Sequence, residues 1–550
     1  MKRGLLLIFL GHLGLCIWAQ NTIGLIKNQP SRIYDGYNLL YPHNQPDAFL
    51  VDNCGRIVHT WEGDSLYRPG NSVYLQEDGA LLVCSRNAVP INDPIWAGGG
   101  GENVELKSWD NESLWQFRMN TDTTRLHHDI APLPNGHVLM IAWELKTLEE
   151  SIQAGRDPAS LMDSTLSQAK LWPDFILEYA PELDSIVWEW HAWDHLIQDF
   201  DSSKDNFGQV EAHPERIDIN YDTHQGHPDW MHANAIDYNP VLDQILLCIP
   251  YFHEVWVIDH GISTEEAQGE KGDLLYRWGN PATYRGGSSS DQKLFFPHDI
   301  HWVDPTAKVE DSLFGVLALF NNRVGTDYST GNLFTTPIDP QTGIYEFGDS
   351  QFLPESFDRV ITYPEDSTQF FSNSLSSIQV LPNGNVLMLA GRWGQAIEVS
   401  LDNTLVWEYV VPLAAGMPVQ QGTELSINQN ITFRIERYDI NYPAFEGRDL
   451  NPEEYWELNP NEDFCFQTTS NRSGLKSELT LYPNPVENML QLEYPNSSPQ
   501  NYRILDIWGK VIRAGTFRSD QHRVEVSGLS PAMYWLEIEG VGIQKFLVKR

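Results

Sequence analysis

The chain is short of positive charge, of cysteine, of long apolar runs and of helical periodicity. Its 36 Lys and Arg stand against 75 Asp and Glu, a formal charge of −39. A surface this acidic repels phosphate backbones, which excludes nucleic acid as a partner. Five cysteines in 550 residues make no disulfide framework, even where an oxidising compartment permits bridges. Cys54, Cys84, Cys248 and Cys465 are widely dispersed, and Cys248, inside the apolar run Ile245-Leu246-Leu247-Cys248-Ile249, reads as a buried thiol. The one apolar stretch of note, residues 5–18, is shorter than a membrane span. It follows Met1-Lys2-Arg3 and precedes Ala19, so residues 1–19 read as an export signal cut ahead of Gln20. Bulky Leu15 before Cys16 argues against a lipoprotein. No later stretch looks transmembrane, so the mature chain is expected to be soluble or tethered at a surface. Helical periodicity is nearly confined to residues 146–169, the best helix candidate and an insertion.

What is present is aromatic and strand-rich. Nineteen Trp and well-spread charges argue for a folded protein and against acidic disorder. From about Tyr34, short apolar strands alternate with Asn-Gly, Asp-Gly and Pro turns. Val380-Leu381-Pro382-Asn383-Gly384-Asn385-Val386-Leu387-Met388 closely repeats Pro132-Leu133-Pro134-Asn135-Gly136-His137-Val138-Leu139-Met140, and Tyr74 to Leu82 is a weaker copy. A third strand and a Trp-bearing fourth tend to follow, as in Leu405-Val406-Trp407 and Ile186-Val187-Trp188. Four antiparallel strands recurring at several tens of residues are the signature of a β-propeller. A β-sandwich is the competing fold, but it leaves the turn-and-Trp repeat unexplained. Five units are recognisable. A sixth assembles from Tyr37-Asn38-Leu39-Leu40, Ala48 to Asp52 and Ile57 to Trp61 at one end with Phe433 to Tyr438 from the other. Pairing the chain ends in this way closes the ring and removes sheet edges. The expectation is an all-β chain, a six-bladed β-propeller over residues 20–465 followed by a small Ig-like β-sandwich.

Composition changes after Cys465. Residues 466–478 read as a polar linker, and residues 479–550 as a compact strand-rich module. That module carries Tyr482-Pro483-Asn484-Pro485, Gly509-Lys510-Val511-Ile512, Gly528-Leu529 with Tyr534 and Leu536, and a basic end at Lys549-Arg550. On these features it resembles the C-terminal sorting domain of the type IX secretion system of Bacteroidetes. The resemblance implies that the secretion machinery is a partner, and that the protein crosses the outer membrane to be released or held at the cell surface.

Three stretches carry a histidine at what reads as one structural point. Aligned on the Gly of the turn and stepped back eight positions, Asn71, His128 and Ser376 coincide; His232 and His298 open their strands similarly. The first strand of each propeller blade lines the channel, so His128, His232 and His298 are expected to converge. Asn234, two residues after His232, would share its strand face. Three readings compete: structural histidines, a metal site, or a metal-free group-transfer site in which one His is the nucleophile. Residues 197–229, with His213, His224 and His227, form either a solvated loop or a lid beside the channel.

At these residues the chain resembles the arylsulfate sulfotransferase family of propellers. The features that match are His128-Asp129-Ile130 before its Pro-Asn-Gly turn, Trp230-Met231-His232-Ala233-Asn234, and His298-Asp299. The resemblance spans about Tyr34 to Arg448. It implies sulfuryl transfer from an aryl sulfate donor to a phenolic acceptor through a sulfohistidine, with no cofactor, no metal and no nucleotide. It assigns the nucleophile to His298, and oxygen binding and proton handling to His128, His232 and Asn234. One position departs from the family pattern: its sulfate-binding Arg falls on Pro250. Arg323 and Arg392 are the candidates to replace it, because a guanidinium fork suits an anion site. The departure also motivates an alternative, a non-catalytic propeller that binds sulfated, phenolic or glycan ligands.

Overall fold

The computed structural model describes residues 21–88, 95, 97–161, 170–467, 479–493, 500–517, 523–538 and 541–549. The expected export signal and most of the expected linker lie outside them. The chain is all-β. Sheet one is Tyr67–Leu75, Leu81–Asn87, Asn103–Lys107 and Ser113–Arg118. Sheet two is Thr124–Pro132, Val138–Glu144, Asp174–Ala180 and Ser185–His191. Sheet three is Ala235–Asn239, Gln244–Ile249, Glu254–Asp259 and Tyr276–Trp278. Sheet four is Pro297–Trp302, Val316–Asn321, Thr330–Thr335 and Arg359–Ile361. Sheet five is Ser377–Val380, Val386–Ala390, Gln395–Val399 and Leu405–Val410, with Gly24–Asn28 added at its edge. In sheet six Thr432–Asp439 pairs antiparallel with Gly36–Pro42, placing Tyr37 opposite Tyr438, and Ala48–Asp52 and Ile57–Trp61 follow.

The first strands touch in cyclic order, one sheet to the next, and Thr432–Asp439 returns to Tyr67–Leu75 to close the ring. Strand alternation explains why the ring is stable. Each sheet turns one apolar face to each neighbour, so the core is six wedges, one between each pair of sheets. Ile141, Ile176 and Ile245 in the wedge between sheets two and three are fully buried, each contributing about 1.5–3 kcal/mol. The repeated Trp also has a physical reason. The indole N–H groups of Trp188, Trp190, Trp278 and Trp407 donate to the carbonyls of Ile262, Gly272, Pro354 and Asn53. Each ties an outer strand to the neighbouring sheet or its loops.

One expectation changes, and one pairing is added. The helix candidate at 146–169 shortens to Leu148–Gln153, started by a Thr147/Glu150 capping box, with a 3-10 turn at Pro158–Leu161; residues 162–169 lie outside the described residues. The dispersed cysteines do hold one bridge, Cys54–Cys465, across 411 residues. It fastens the segment that follows ring closure to sheet six, while Cys84 and Cys248 remain free and buried. The described residues between 479 and 549 form two small sheets around their own core of Leu490, Leu536, Phe546 and neighbours. Among the described residues no helix is long and apolar enough to cross a membrane.

Candidate active site

A cavity of about 330 Å³ opens where the first strands converge. Its wall includes His128, His232, His298, Arg323 and Arg392, together with Tyr251, Phe296, Leu375, and Gly98 and Gly99. The insert at 197–229 supplies His224, His227 and Asp229 to the same wall, whereas His213 faces a different surface hollow. Asn234 is not on the wall. The strand begins at Ala235, and His232 sits before it with φ 62°. The alternation of a strand therefore does not apply to these two residues. The left-handed backbone turns His232 to the cavity, while fully buried Asn234 donates from Nδ2 to the Pro297 carbonyl at 3.0 Å. The positive φ recurs at Asn71, His128 and Ser376, the three positions equated from the turn alignment. Non-glycine residues hold this conformation only where the surroundings impose it.

The three imidazoles are held in different states. His298 Nδ1 is 2.8 Å from Asn322 Oδ1. The Asn322 amide nitrogen is already committed to the Ser372 and Leu375 carbonyls, so its oxygen accepts and His298 carries its proton on Nδ1. The Leu375 N–H donates to His298 Nε2 at 3.0 Å, which requires a lone pair there. Burial, then the charge on His232, lowers the His298 pKa to about 3. Neutral His298 thus presents an unprotonated Nε2 at the cavity. His232 has a carboxylate partner instead, with Nδ1 2.5 Å from Asp229 Oδ2. Burial opposes its charge, but Asp229 outweighs burial and raises its pKa; His232 in turn outweighs burial at Asp229 and lowers that carboxyl. The pair is an imidazolium–carboxylate. His128 lies on the other side of His232, from sheet two, with ring centroids 4.4 Å apart. Burial and the neighbouring His232 and His127 hold it well below an ordinary imidazole, hence neutral.

The arginines complete the electrostatics. Arg323 donates from Nε to the Asn373 carbonyl at 2.8 Å, and its guanidinium lies 3.7 Å over the Phe296 ring. Arg392 has a buried Nε without a hydrogen-bond partner. Neither forms an ion pair among the described residues, and with His232 balanced by Asp229 the wall keeps the two guanidinium charges in surplus. An acidic protein thereby carries a positive hollow that fits a small anion. Pro250 lies in the turn after Gln244–Ile249 and offers no donor; Arg323 and Arg392, from sheets four and five, bring guanidinium groups to the cavity instead.

Gly99 has φ 80°, and a Cβ there would fall 1.9 Å from His128 Nε2, so only glycine lets the loop approach the imidazole. Below the cavity Arg434 spans the channel, contacting Asp129 at 2.7 Å and Asp299 at 2.8 Å. These carboxylates directly follow His128 and His298, so one guanidinium ties both strands. Among the described residues no three His, Cys, Asp or Glu side chains are grouped as metal ligands. Sequence reasoning did not single out Asp229, Asn322, His127, Asp174, Gly99 or Arg434. The signals present were an Asp three residues before His232, the doublet His127-His128 and the run Gly98 to Gly101; Asp174 and Arg434 had none.

The chain matches the Arylsulfotransferase (ASST) family over residues 22–411 and the secretion system C-terminal sorting domain over residues 480–549. The second match marks the protein for secretion or the cell surface. No curated protein matches the chain. Among solved structures it is similar to a protein of unknown function from Bacteroides caccae, at 10% identity and TM-score 0.38, covering 73% of this chain and 98% of that one. It is also similar to a dihydro-heme d1 dehydrogenase, at 9% identity and TM-score 0.29, covering 96% and 78%. A streptogramin B lyase follows at 10% identity and TM-score 0.31, covering 76% and 98%. At these scores none of the three carries an argument about this chain. The family match covers most of the chain, and the chain belongs to the arylsulfotransferase family.

Proposed function

We propose that the protein moves a sulfuryl group from an aryl sulfate ester to a phenolic acceptor in two steps, through a sulfohistidine at His298. The observation that carries this reading is the tautomer of His298: Nδ1–H given to Asn322, Nε2 unprotonated at a cavity with two unpaired guanidinium groups. In the donor half-reaction the Leu375 N–H gives up Nε2, and the freed lone pair attacks sulfur. An N–S bond forms, the S–O(aryl) bond breaks, and the aryl oxygen leaves with a proton supplied by the protein. The sulfated ring then carries positive charge, which Asn322 Oδ1 stabilises through Nδ1–H. In the acceptor half-reaction a phenol oxygen attacks the same sulfur, its proton returns to the protein, and the N–S bond breaks to restore the lone pair. Arg323, Arg392 and the His232 imidazolium bind the sulfuryl oxygens as charge builds on them. Asn234 positions the Pro297–His298 segment through its bond to the Pro297 carbonyl. Tyr251 and Phe296 supply flat apolar surface for an aromatic ring.

The test is a donor-only pulse of aryl sulfate, with and without chelator, followed by peptide mass spectrometry. The expected outcome is a stoichiometric burst of phenol and a sulfuryl mass on the His298 peptide, both insensitive to chelator. Binding of aryl sulfate with no burst favours the non-catalytic reading that Pro250 motivates, and a burst lost on chelation favours a metal-dependent one. A label on His128 or His232 keeps the reaction and overturns the assignment.

A further inference from the structure

Behind His128 lies a second pair of ionisable groups that the transfer scheme does not use. His127 Nδ1 is 2.8 Å from His128 Nδ1. Two imidazole nitrogens at that distance share one proton, since one donates and the other accepts. On its far side His127 Nε2 is 3.1 Å from Asp174 Oδ1. The contact is at ion-pair distance but off the hydrogen-bond axis. The His127 ring lies flat on Trp143, centroids 3.9 Å apart and planes 9° from parallel, so a small in-plane turn over the indole closes it. Asp174 Oδ2 accepts from the Ala233 N–H at 2.7 Å. Both His127 and Asp174 are only 2% exposed.

We propose that Asp174 and His127 form a proton relay behind His128, so that His128 Nε2 gives a proton to the departing aryl oxygen and takes one from the incoming phenol. The inference rests on the sulfuryl-transfer reading. In the donor half-reaction the His128 Nε2 proton passes to the aryl oxygen. His128 Nδ1 takes the proton of His127 Nδ1, and His127 Nε2 takes the proton of Asp174 Oδ1, leaving a carboxylate braced by the Ala233 N–H. In the acceptor half-reaction the phenol proton goes to His128 Nε2 and each shift reverses. No proton reaches solvent, and neither imidazole is ever doubly protonated. That matters because the His232 imidazolium lies beside His128, and a second imidazolium there would meet like charge in a dry site. The ionisation states fit: burial holds Asp174 well above the ordinary carboxyl range, so it begins as an acid, and holds His127 and His128 well below ordinary imidazoles.

Two measurements on the full chain test this. NMR of isotope-labelled histidine is expected to show one proton shared between His127 Nδ1 and His128 Nδ1, and Asp174→Asn is expected to shift its position. Two independently protonated rings, or a proton from His127 to the Ala142 carbonyl instead, would overturn the relay whatever the activity. In the donor-only burst, which isolates the first half-reaction, Asp174→Asn is expected to slow an alkylphenyl sulfate about 10²-fold, since its leaving oxygen needs an acid. The same variant is expected to slow para-nitrophenyl sulfate, which leaves unaided, by less than about threefold. Equal losses on both donors would mean that Asp174 is only structural and would overturn the proposal. A shared proton in a wild type that transfers nothing would sink the sulfuryl reading and this use of the relay with it. The intact spectrum tells that failure apart from the others.

Discussion

Two histidines face one cavity from adjacent sheets, and a single atom in the partner separates their chemistry. His232 is backed by a carboxylate, Asp229, and His298 by a carboxamide, Asn322. Both rings are almost out of water. Burial alone would make both neutral. A carboxylate at 2.5 Å restores the charge on one, whereas a carboxamide oxygen at 2.8 Å fixes a tautomer without offering charge. The same residue type therefore serves as a permanent cation on one side and as a lone-pair donor on the other. Burial, and then the charge on His232, keeps His298 and His128 neutral.

The largest effect is expected where nothing can substitute. His298→Ala removes the only nitrogen assigned to bond sulfur, so both the phenol burst and exchange with acceptor should fall to background. Full activity in His298→Ala would end the covalent route. Next in size is the charged side of the comparison. Asp229→Asn strips the carboxylate from His232, whose charge then fades at a lower pH. Loss of one transition-state donor of this kind typically costs about 10²–10³ in rate. Because Asp229 raises the His232 pKa, the wild-type rate should persist further into alkaline solution than the variant rate. A pH–rate profile checks this, and superimposable profiles would detach Asp229 from catalysis.

The sharpest way to break the comparison is to exchange the partner. Asn322→Asp gives His298 the environment of His232. Its pKa should rise from about 3 toward and past neutrality, tying up Nε2 with a proton. At pH about 7 the burst should slow by roughly 10 to 10², one factor of ten for each unit by which the pKa exceeds the assay pH. It should recover as pH rises. A variant slowed equally at all pH would show that Asn322 acts by shape and not through charge. Stability gives a second readout. A histidine depressed to about 3 binds fewer protons when folded than when unfolded between that pH and 6.5. Wild-type stability should therefore rise with pH across this window, and Asn322→Asp should weaken the slope.

Much of this was legible in the sequence, for identifiable reasons. The Pro-Asn-Gly repeat and the Trp of the outer strand report a periodic architecture, and ring closure by the chain ends follows from unpaired edges. The convergence of His128, His232 and His298 followed from placing equivalent residues at the channel mouth, whereas Arg323 and Arg392 entered only as replacements for the family arginine that falls on Pro250. Inference stopped where strand geometry stopped. His232 precedes its strand, so the rule that alternate residues share a face misplaced Asn234. Asp229 is local to His232, but other partners come from distant segments: Asn322 directly follows the second strand of sheet four, and Asp174 begins the third strand of sheet two. No spacing reports such contacts. The same holds for Cys54–Cys465, since pairing over 411 residues leaves no local mark.

The smallest expected effect extends the comparison to a chain of charges away from the cavity, which water still reaches at its edges. Glu178 bridges two histidines, at 2.6 Å to His137 Nδ1 and 3.0 Å to His260 Nε2, and so links sheets two and three. Burial opposes charge on both imidazoles, but hydrogen bonds led by Glu178 outweigh it and raise their pKa values above 6.5. Burial likewise opposes ionisation of Glu178, and the two histidines outweigh it, lowering that carboxyl below 4.5. The histidine contribution is complete below pH 6.5 and is lost as pH rises through the raised values. The glutamate contribution is present above pH 4.5 and is lost as pH falls through the lowered one. Both act together between those limits. Ion pairs that water still reaches are worth about 0.2–1 kcal/mol each, so Glu178→Gln should cost about 1 kcal/mol near pH about 5.5 and close to nothing near pH about 9. Urea midpoints at the two pH values measure the difference. Equal losses at both would show that Glu178 holds the two sheets by packing, and that carboxylate-backed histidines set charge only where water is excluded.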